Sequence, residues 1–489
     1  MQALTDRFNY FFRSTKGLVL VVIALISLVT AVWGTLSGPM IKWGVKEITV
    51  QTLGMDLNPA ERKGRIIMLY HSIAIAVVAI EVYLITGVIP IKPHQVSTIN
   101  SSITVGYLMV MFFGLGFAYF GHNWIFHGLF LAGQSLVYYA GVMLAAALWP
   151  WNKKYRQPDP DYARTKKGLD LERVAFFVMV IAALGSVLFG AAAGANWGHG
   201  FETFLAEDMV REPHKTALQL AVIGHLHIML TLIAVALTLL IGRWFNFKGI
   251  LHKIAMPLMI SGTIIITLGA WSVVPYKDTA HTIIYVGSVL VMLAALMLVI
   301  FGFDKLIRTQ LAEQGIQKGS PWQKIQALLH DPLKFGSLWQ MVYMNFTVSG
   351  VGIFMAIKLD EIFRAWPVRE ERIPLVGHWH ILAGIIATII LLYYADLAGL
   401  KGKTRRWFGW LIILASDLAF GAVTVFSMKR LFVTQAAQEP VVNWTTLLAD
   451  IGVILVLVVL AVLMVWRLID LFKKDGRWRQ ELAEQETLL

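Results

Sequence analysis

Runs of about 20 apolar residues recur along the whole chain, separated by short stretches where charged and small polar residues gather. A helix of that length crosses roughly 30 Å of hydrocarbon, so the pattern predicts an all-α, polytopic membrane protein. Twelve spans are expected, at about 17–38, 65–89, 101–120, 124–148, 174–194, 217–242, 250–274, 281–303, 336–357, 374–396, 405–428 and 447–469. The first run follows Arg7, Arg13 and Lys16 and has no A-x-A-like cleavage site behind it, which predicts a retained span rather than a cleaved signal. One integral membrane domain accounts for residues 1–489, with a polar connection at about 304–335 forming a short surface helix.

An even number of spans places both termini on one side, and the charge pattern chooses that side. Lys153, Lys154, Arg156, Arg164, Lys166, Lys167 and Arg173 fall between the fourth and fifth spans, and Lys401, Lys403, Arg405 and Arg406 between the tenth and eleventh. These lie on the same face as the basic N-terminus and the tail bearing Lys473, Lys474, Arg477 and Arg479. Lysine and arginine collect in cytoplasmic loops, so both termini are predicted cytoplasmic. The connections at 38–64 and 358–373 then lie outside. The formal charge of +12 is explained by these loops and calls for no nucleic-acid partner.

Polar residues inside apolar runs are costly and usually functional, which singles out the histidines. Gly377-His378-Trp379-His380 opens the tenth span, and Gly224-His225-Leu226-His227 opens the sixth. The two motifs stand 378 − 225 = 153 positions apart, and the match continues at that offset through Ile233 and Ile386, Leu239 and Leu392, and Lys248-Gly249 with Lys401-Gly402. This predicts an internal repeat of about 224–274 with 377–427. Residues two apart on a helix point roughly 200° apart, so each histidine of a pair addresses a different neighbour. With His71 in the second span, three inward-running helices present imidazoles at one depth near the outer face.

With 57% hydrophobic residues and no cysteine, the chain has no disulfides, no cysteinyl iron-sulfur ligation and no covalent haem c attachment of its own. Histidine is left as the natural metal ligand. Opposed imidazoles from two helices commonly hold haem b in a bundle. Lys429 and Arg430, after the eleventh span, read either as contacts to haem propionates or as a basic interfacial anchor. Glu81 and Asp417 are the carboxyls placed deepest within spans, where a proton path, a quinone contact or a hydrogen-bonded structural role is open. His122 and His127 read as interfacial hydrogen-bonding residues, and His94, His199, His214, His281 and His330 fall in loops or at span ends.

Twelve spans, a histidine in the second and His-x-His in the tenth resemble subunit I of the haem-copper oxidase superfamily. Within it, the run from Arg65 to His71 and the Gly-His-x-His wording are similar to the C-type oxidase and nitric oxide reductase branches. The resemblance implies a pseudo-threefold bundle in a bacterial or archaeal cytoplasmic membrane. It makes His71 and His380 the axial ligands of a low-spin haem b and His378 the ligand of a second haem, with Lys429 and Arg430 at the propionates. It sets His225 or His227 where the family has its first copper ligand.

The chain departs from that family at the copper site. The family completes it with adjacent histidines in the seventh span, whereas here that span ends Trp271-Ser272-Val273-Val274-Pro275 and no His-His occurs. His252 lies at the opposite end of that span. Four residues after His225 and His227 stand Met229 and Thr231, where the family has tyrosine or glutamate. Copper is therefore not expected. His225 or His227 instead reaches the second haem opposite His378, or that iron keeps an open position. The expected function is a haem b electron-transfer subunit between the quinone pool and a periplasmic c-type cytochrome or oxidoreductase, within a respiratory complex. A divergent terminal oxidase or nitric oxide reductase-like enzyme and a membrane transporter are the alternatives.

Overall fold

The computed structural model describes residues 2–36, 41, 43–156, 159–195 and 216–486. Among these, twelve helices are long and apolar enough to cross a membrane. They are α1 (Thr15–Gly34), α2 (Arg62–Val88), α3 (Pro93–Tyr119), α4 (Trp124–Leu148), α5 (Leu171–Ala195), α6 (Ala217–Trp244), α7 (Ile250–Ser272), α8 (Lys277–Glu313), α9 (Pro332–Ile357), α10 (Val368–Leu397), α11 (Gly402–Met428) and α12 (Gln438–Phe472). The chain is thus a polytopic, all-helical membrane protein, and among the described residues no β-strand forms.

The helices begin and end where local chemistry dictates. Thr216 and Gln219 form a reciprocal capping box at the start of α6, and Asn123 accepts the backbone N–H groups of Ile125 and Phe126 at the start of α4, each satisfying donors that a first helical turn leaves open. The α6–α7 corner turns at Gly249 and the α10–α11 corner at Gly402, with φ of +82° and +59°. Only glycine adopts such angles freely. These corners are the Lys-Gly pairs of the repeat, and the ends of α6 and α10 also differ by 397 − 244 = 153 residues. The ends are cross-linked as well, because Trp244 Nε1 donates to Asp396 Oδ2 at 2.7 Å.

Glycines bring neighbouring helices together in a unit that recurs every four spans. A Cβ on Gly106 of α3 would lie 2.9 Å from Val137 N of α4, and one on Gly262 of α7 would lie 2.9 Å from Val291 N of α8. On Gly452 of α12 it would lie 2.5 Å from Ala415 O of α11. Within lipid, backbones packed at this range over small residues supply the dispersion contacts that replace a hydrophobic driving force.

Both termini lie on one face. Helix Gln2–Arg13 packs against helix Arg477–Glu486, with Tyr10 Oη donating to Glu481 Oε2 at 2.7 Å. Arg467 of α12 reaches the same carboxylate at 2.7 Å, and Trp478 beside it is fully buried. Burial pushes the Tyr10 hydroxyl above its ordinary titration range, with the Glu481 charge adding to the effect. The connection expected at 304–335 is shorter than the sequence suggests. Its polar N-terminal part continues α8 to Glu313, and a capping box at Ser320 and Gln323 starts the short helix Pro321–Leu328. In α9 the backbone passes through a π-helical turn, Met344–Gly350.

Candidate functional site

The second helix of each four-helix unit carries the imidazoles. Counting 1.5 Å per residue from the first residue of α2, α6 or α10, His71, His225, His227, His378 and His380 all lie about 12–18 Å along their helices. They share a level in the half of the bundle away from the termini.

The contacts close a ring around the three helices. From α2 to α6, the His71 and His225 rings lie 6.4 Å apart with planes 12° from parallel. From α6 to α10, the His227 and His378 rings lie 6.5 Å apart at 38°. From α10 back to α2, His380 Nε2 meets the Tyr70 hydroxyl in a short hydrogen bond. The His-x-His spacing produces this arrangement, because its two residues point to opposite neighbours. His378 does face α6, through His227. The imidazole beside His71 is that of His225, while His380 meets Tyr70, the residue next to His71. Tyr70 was not singled out from the sequence, where a tyrosine near a span end reads as an ordinary interfacial residue.

All five imidazoles are oriented through Nδ1. It faces the Ile67 carbonyl at 2.9 Å for His71, Ile223 at 2.9 Å for His227, Pro374 at 3.2 Å for His378 and Val376 at 2.9 Å for His380. For His225 the carbonyl belongs to Ser186 of α5, at 2.8 Å. A carbonyl only accepts, so Nδ1 carries the proton and a neutral ring presents its Nε2 lone pair. That is how ligand histidines are held by their outer hydrogen bonds. A metal bound by two imidazoles at about 2 Å each, plus roughly 1 Å from each nitrogen to its ring centre, sets the centres about 6 Å apart. The two histidine pairs have that spacing.

Glycines give these rings their room. A Cβ on Gly190 of α5 would lie 2.4 Å from His225 Nδ1, and one on Gly352, just past the π-helical turn of α9, would lie 3.7 Å from His378 Nε2. His380 is exposed on a cavity of about 790 Å³ between α10, α11 and α12, whose lining includes Arg372, Gly377, Val423, Ser427 and Asp450. Most of its wall is apolar, with Arg372 and Asp450 its charged residues. Of the five ring histidines, His380 alone is among its lining residues.

The remaining candidates are placed more plainly. Lys429 is buried and its Nζ donates to Glu370 Oε2 at 3.0 Å, with Arg430 Nε 3.5 Å from the same oxygen and its guanidinium over the Trp366 ring. The pair is thus already neutralised in part by a carboxylate from the start of α10. His122 pairs with Glu61 at 3.6 Å, His127 stacks on Phe117 and Trp124, and His281 stacks on Tyr285. His252 accepts the Ala163 N–H at 2.9 Å. His199 and His214 lie outside the described residues. Glu81 is buried with its Oε1 unpartnered among the described residues, whereas Asp417 accepts hydrogen bonds from α9. Among the described residues, no group of three or more His, Cys, Asp or Glu side chains converges as a metal site.

No family model matches the chain, and no curated protein does.

Proposed function

We propose that this chain is a haem b-binding electron-transfer subunit of a bacterial or archaeal cytoplasmic membrane, with both termini cytoplasmic. It would relay electrons between the quinone pool and a periplasmic c-type cytochrome or oxidoreductase. The observation that carries the reading is the closed ring of α2, α6 and α10, in which backbone carbonyls hold Nδ1 of all five imidazoles. The four-helix periodicity of the packing agrees with the pseudo-threefold bundle that the resemblance to haem-copper oxidase subunit I implies.

In this reading, His71 with His225 and His227 with His378 would hold the haem irons. His380, whose Nε2 meets Tyr70, borders the apolar cavity, and Lys429 and Arg430 would be the cations for anionic haem substituents. Haem, when bound, supplies reversible one-electron iron chemistry. The protein's part is to fix ring orientation through the backbone, exclude water with the apolar span ends and keep the sites close enough for transfer.

The test is a reduced-minus-oxidised spectrum of the purified protein combined with pyridine haemochrome and metal analysis. Two haem b groups and no stoichiometric copper are expected. Protein carrying no haem b overturns the proposal. Low-spin sites with both axial positions filled leave the reduced spectrum unchanged under carbon monoxide, whereas a shifted spectrum favours a gas reductase.

A further inference from the structure

Away from the histidine ring, a carboxyl group sits within the spans at the lipid-facing seam of α9 and α11. Asp417 Oδ2 accepts Trp339 Nε1 at 2.8 Å and Oδ1 accepts Gln340 Nε2 at 2.7 Å. Among the described residues no cation pairs with it. An ionised carboxylate offers about four acceptor positions, so two remain. Gln340 is fully buried and its Nε2 also reaches Ser416 Oγ at 3.3 Å, while its Oε1 has no partner among the described residues. Unused hydrogen-bonding capacity of this kind is expensive in hydrocarbon, and all of it is acceptor capacity.

A row of aromatic rings leads away from Trp339 along the seam. Phe335 stacks near Trp339 at 6.3 Å with planes 16° apart, and Trp410 lies 5.7 Å from Phe335. Trp339 is 39% exposed and Leu414, one turn from Asp417, is 63% exposed, so the site opens toward lipid. It also abuts the histidine-bearing helix. Phe420, one turn beyond Asp417, packs onto Gly384, one turn beyond His380, where a Cβ would lie 2.6 Å from Phe420 Cε1. Val423 of the cavity wall is six residues, about 9 Å of helix, from Asp417.

We infer that the α9–α11 seam binds the head ring of a membrane-soluble hydroquinone, with Asp417, held by Trp339 and the buried Gln340, accepting a hydroxyl hydrogen and Trp339 against its face. The inference deepens the quinone-pool part of the proposed function by locating the ring, and it concerns binding alone. Acceptor-only chemistry makes the site select the reduced ligand, since a quinone carries only acceptors.

The test uses the full chain in lipid nanodiscs, titrated anaerobically by calorimetry with a decyl hydroquinone and with its quinone. Wild type is expected to bind the hydroquinone saturably and about ten-fold more tightly than the quinone, the difference that one or two hydrogen bonds make. Asp417→Asn, whose amide donates, is expected to lose or reverse that preference while haem content stays constant. Leu414→Trp, a change on the lipid-exposed surface that leaves the Asp417 hydrogen bonds intact, is expected to block both ligands. Absence of saturable binding by wild type, or equal binding by wild type and both variants, makes the cluster a structural cross-link only and overturns the inference. Loss of haem without loss of hydroquinone binding refutes the haem reading and leaves this one standing.

Discussion

Residue by residue, the ring makes predictions that the sequence alone framed differently. Pairing His71 with His380 across the second and tenth spans makes His71→Ala copy His380→Ala. If the proposed haems are held by the neighbouring imidazoles, His71→Ala should copy His225→Ala and His227→Ala should copy His378→Ala, because a six-coordinate haem loses its low-spin character when either axial imidazole goes. Reduced-minus-oxidised spectra of the single variants decide between the pairings, and His71→Ala matching His380→Ala supports the one across the second and tenth spans. Gly190→Ala should mimic His225→Ala in part, since its Cβ would fall 2.4 Å from the ring. The ring must move or the helices part, at about 1–3 kcal/mol for overpacking. A lower unfolding temperature with a disturbed His225 site is the expected result, and a variant identical to wild type in both measures contradicts it.

At the level of helices and corners, the repeat explains why α6 and α10 behave alike, and its corners separate two kinds of glycine. Gly249 has φ +82° and ψ −160°, a region essentially closed to any residue with a Cβ, where strain costs about 1–3 kcal/mol. Gly402 has φ +59°, a positive φ at which asparagine is found several-fold more often than most side chains. Gly249→Asn should therefore destabilise the protein clearly more than Gly402→Asn, as read from thermal unfolding in detergent. Equal losses at the two corners would show that the turns are not conformationally distinct. The π-helical turn of α9 acts on the same scale. An extra residue in one turn shifts the phase of every later residue of the helix, and in α9 the shifted part brings Gly352 against His378.

For the whole molecule, the termini are joined by a buried cluster. Removing Arg467 leaves the buried Glu481 with the more distant Lys16 Nζ, at 3.8 Å, and breaking a buried pair from one side costs up to about 3–5 kcal/mol. Arg467→Met should lower the unfolding temperature and expose the C-terminal helix to protease, while an unchanged digestion pattern argues against the clamp. The absence of cysteine makes membrane orientation directly measurable. Single Lys166→Cys and Lys403→Cys variants should react with an impermeant maleimide only after the cytoplasmic face is opened, and Asp360→Cys should react from outside. The reverse labelling would invert the assigned orientation and with it the side from which the histidine ring is reached.

By itself the sequence determined the properties that arise along one helix: the twelve spans, because apolar length is a local property matched to hydrocarbon thickness, and the shared level of His71, His225, His227, His378 and His380, because helical rise is fixed. It also carried the opposed directions within each His-x-His, since two residues turn a helix by about 200°. Tertiary structure alone decided which imidazole meets which partner. That choice depends on helix rotation and separation, set by glycines such as Gly190 and Gly352 and by the Ser186 carbonyl, all distant in sequence from the residues they position. The same holds for Lys429 and Arg430, whose partner Glu370 lies at the head of a different helix. For Asp417, depth within a span was legible, but its setting against Trp339 and Gln340 at the lipid surface arises only where α9 and α11 pack together.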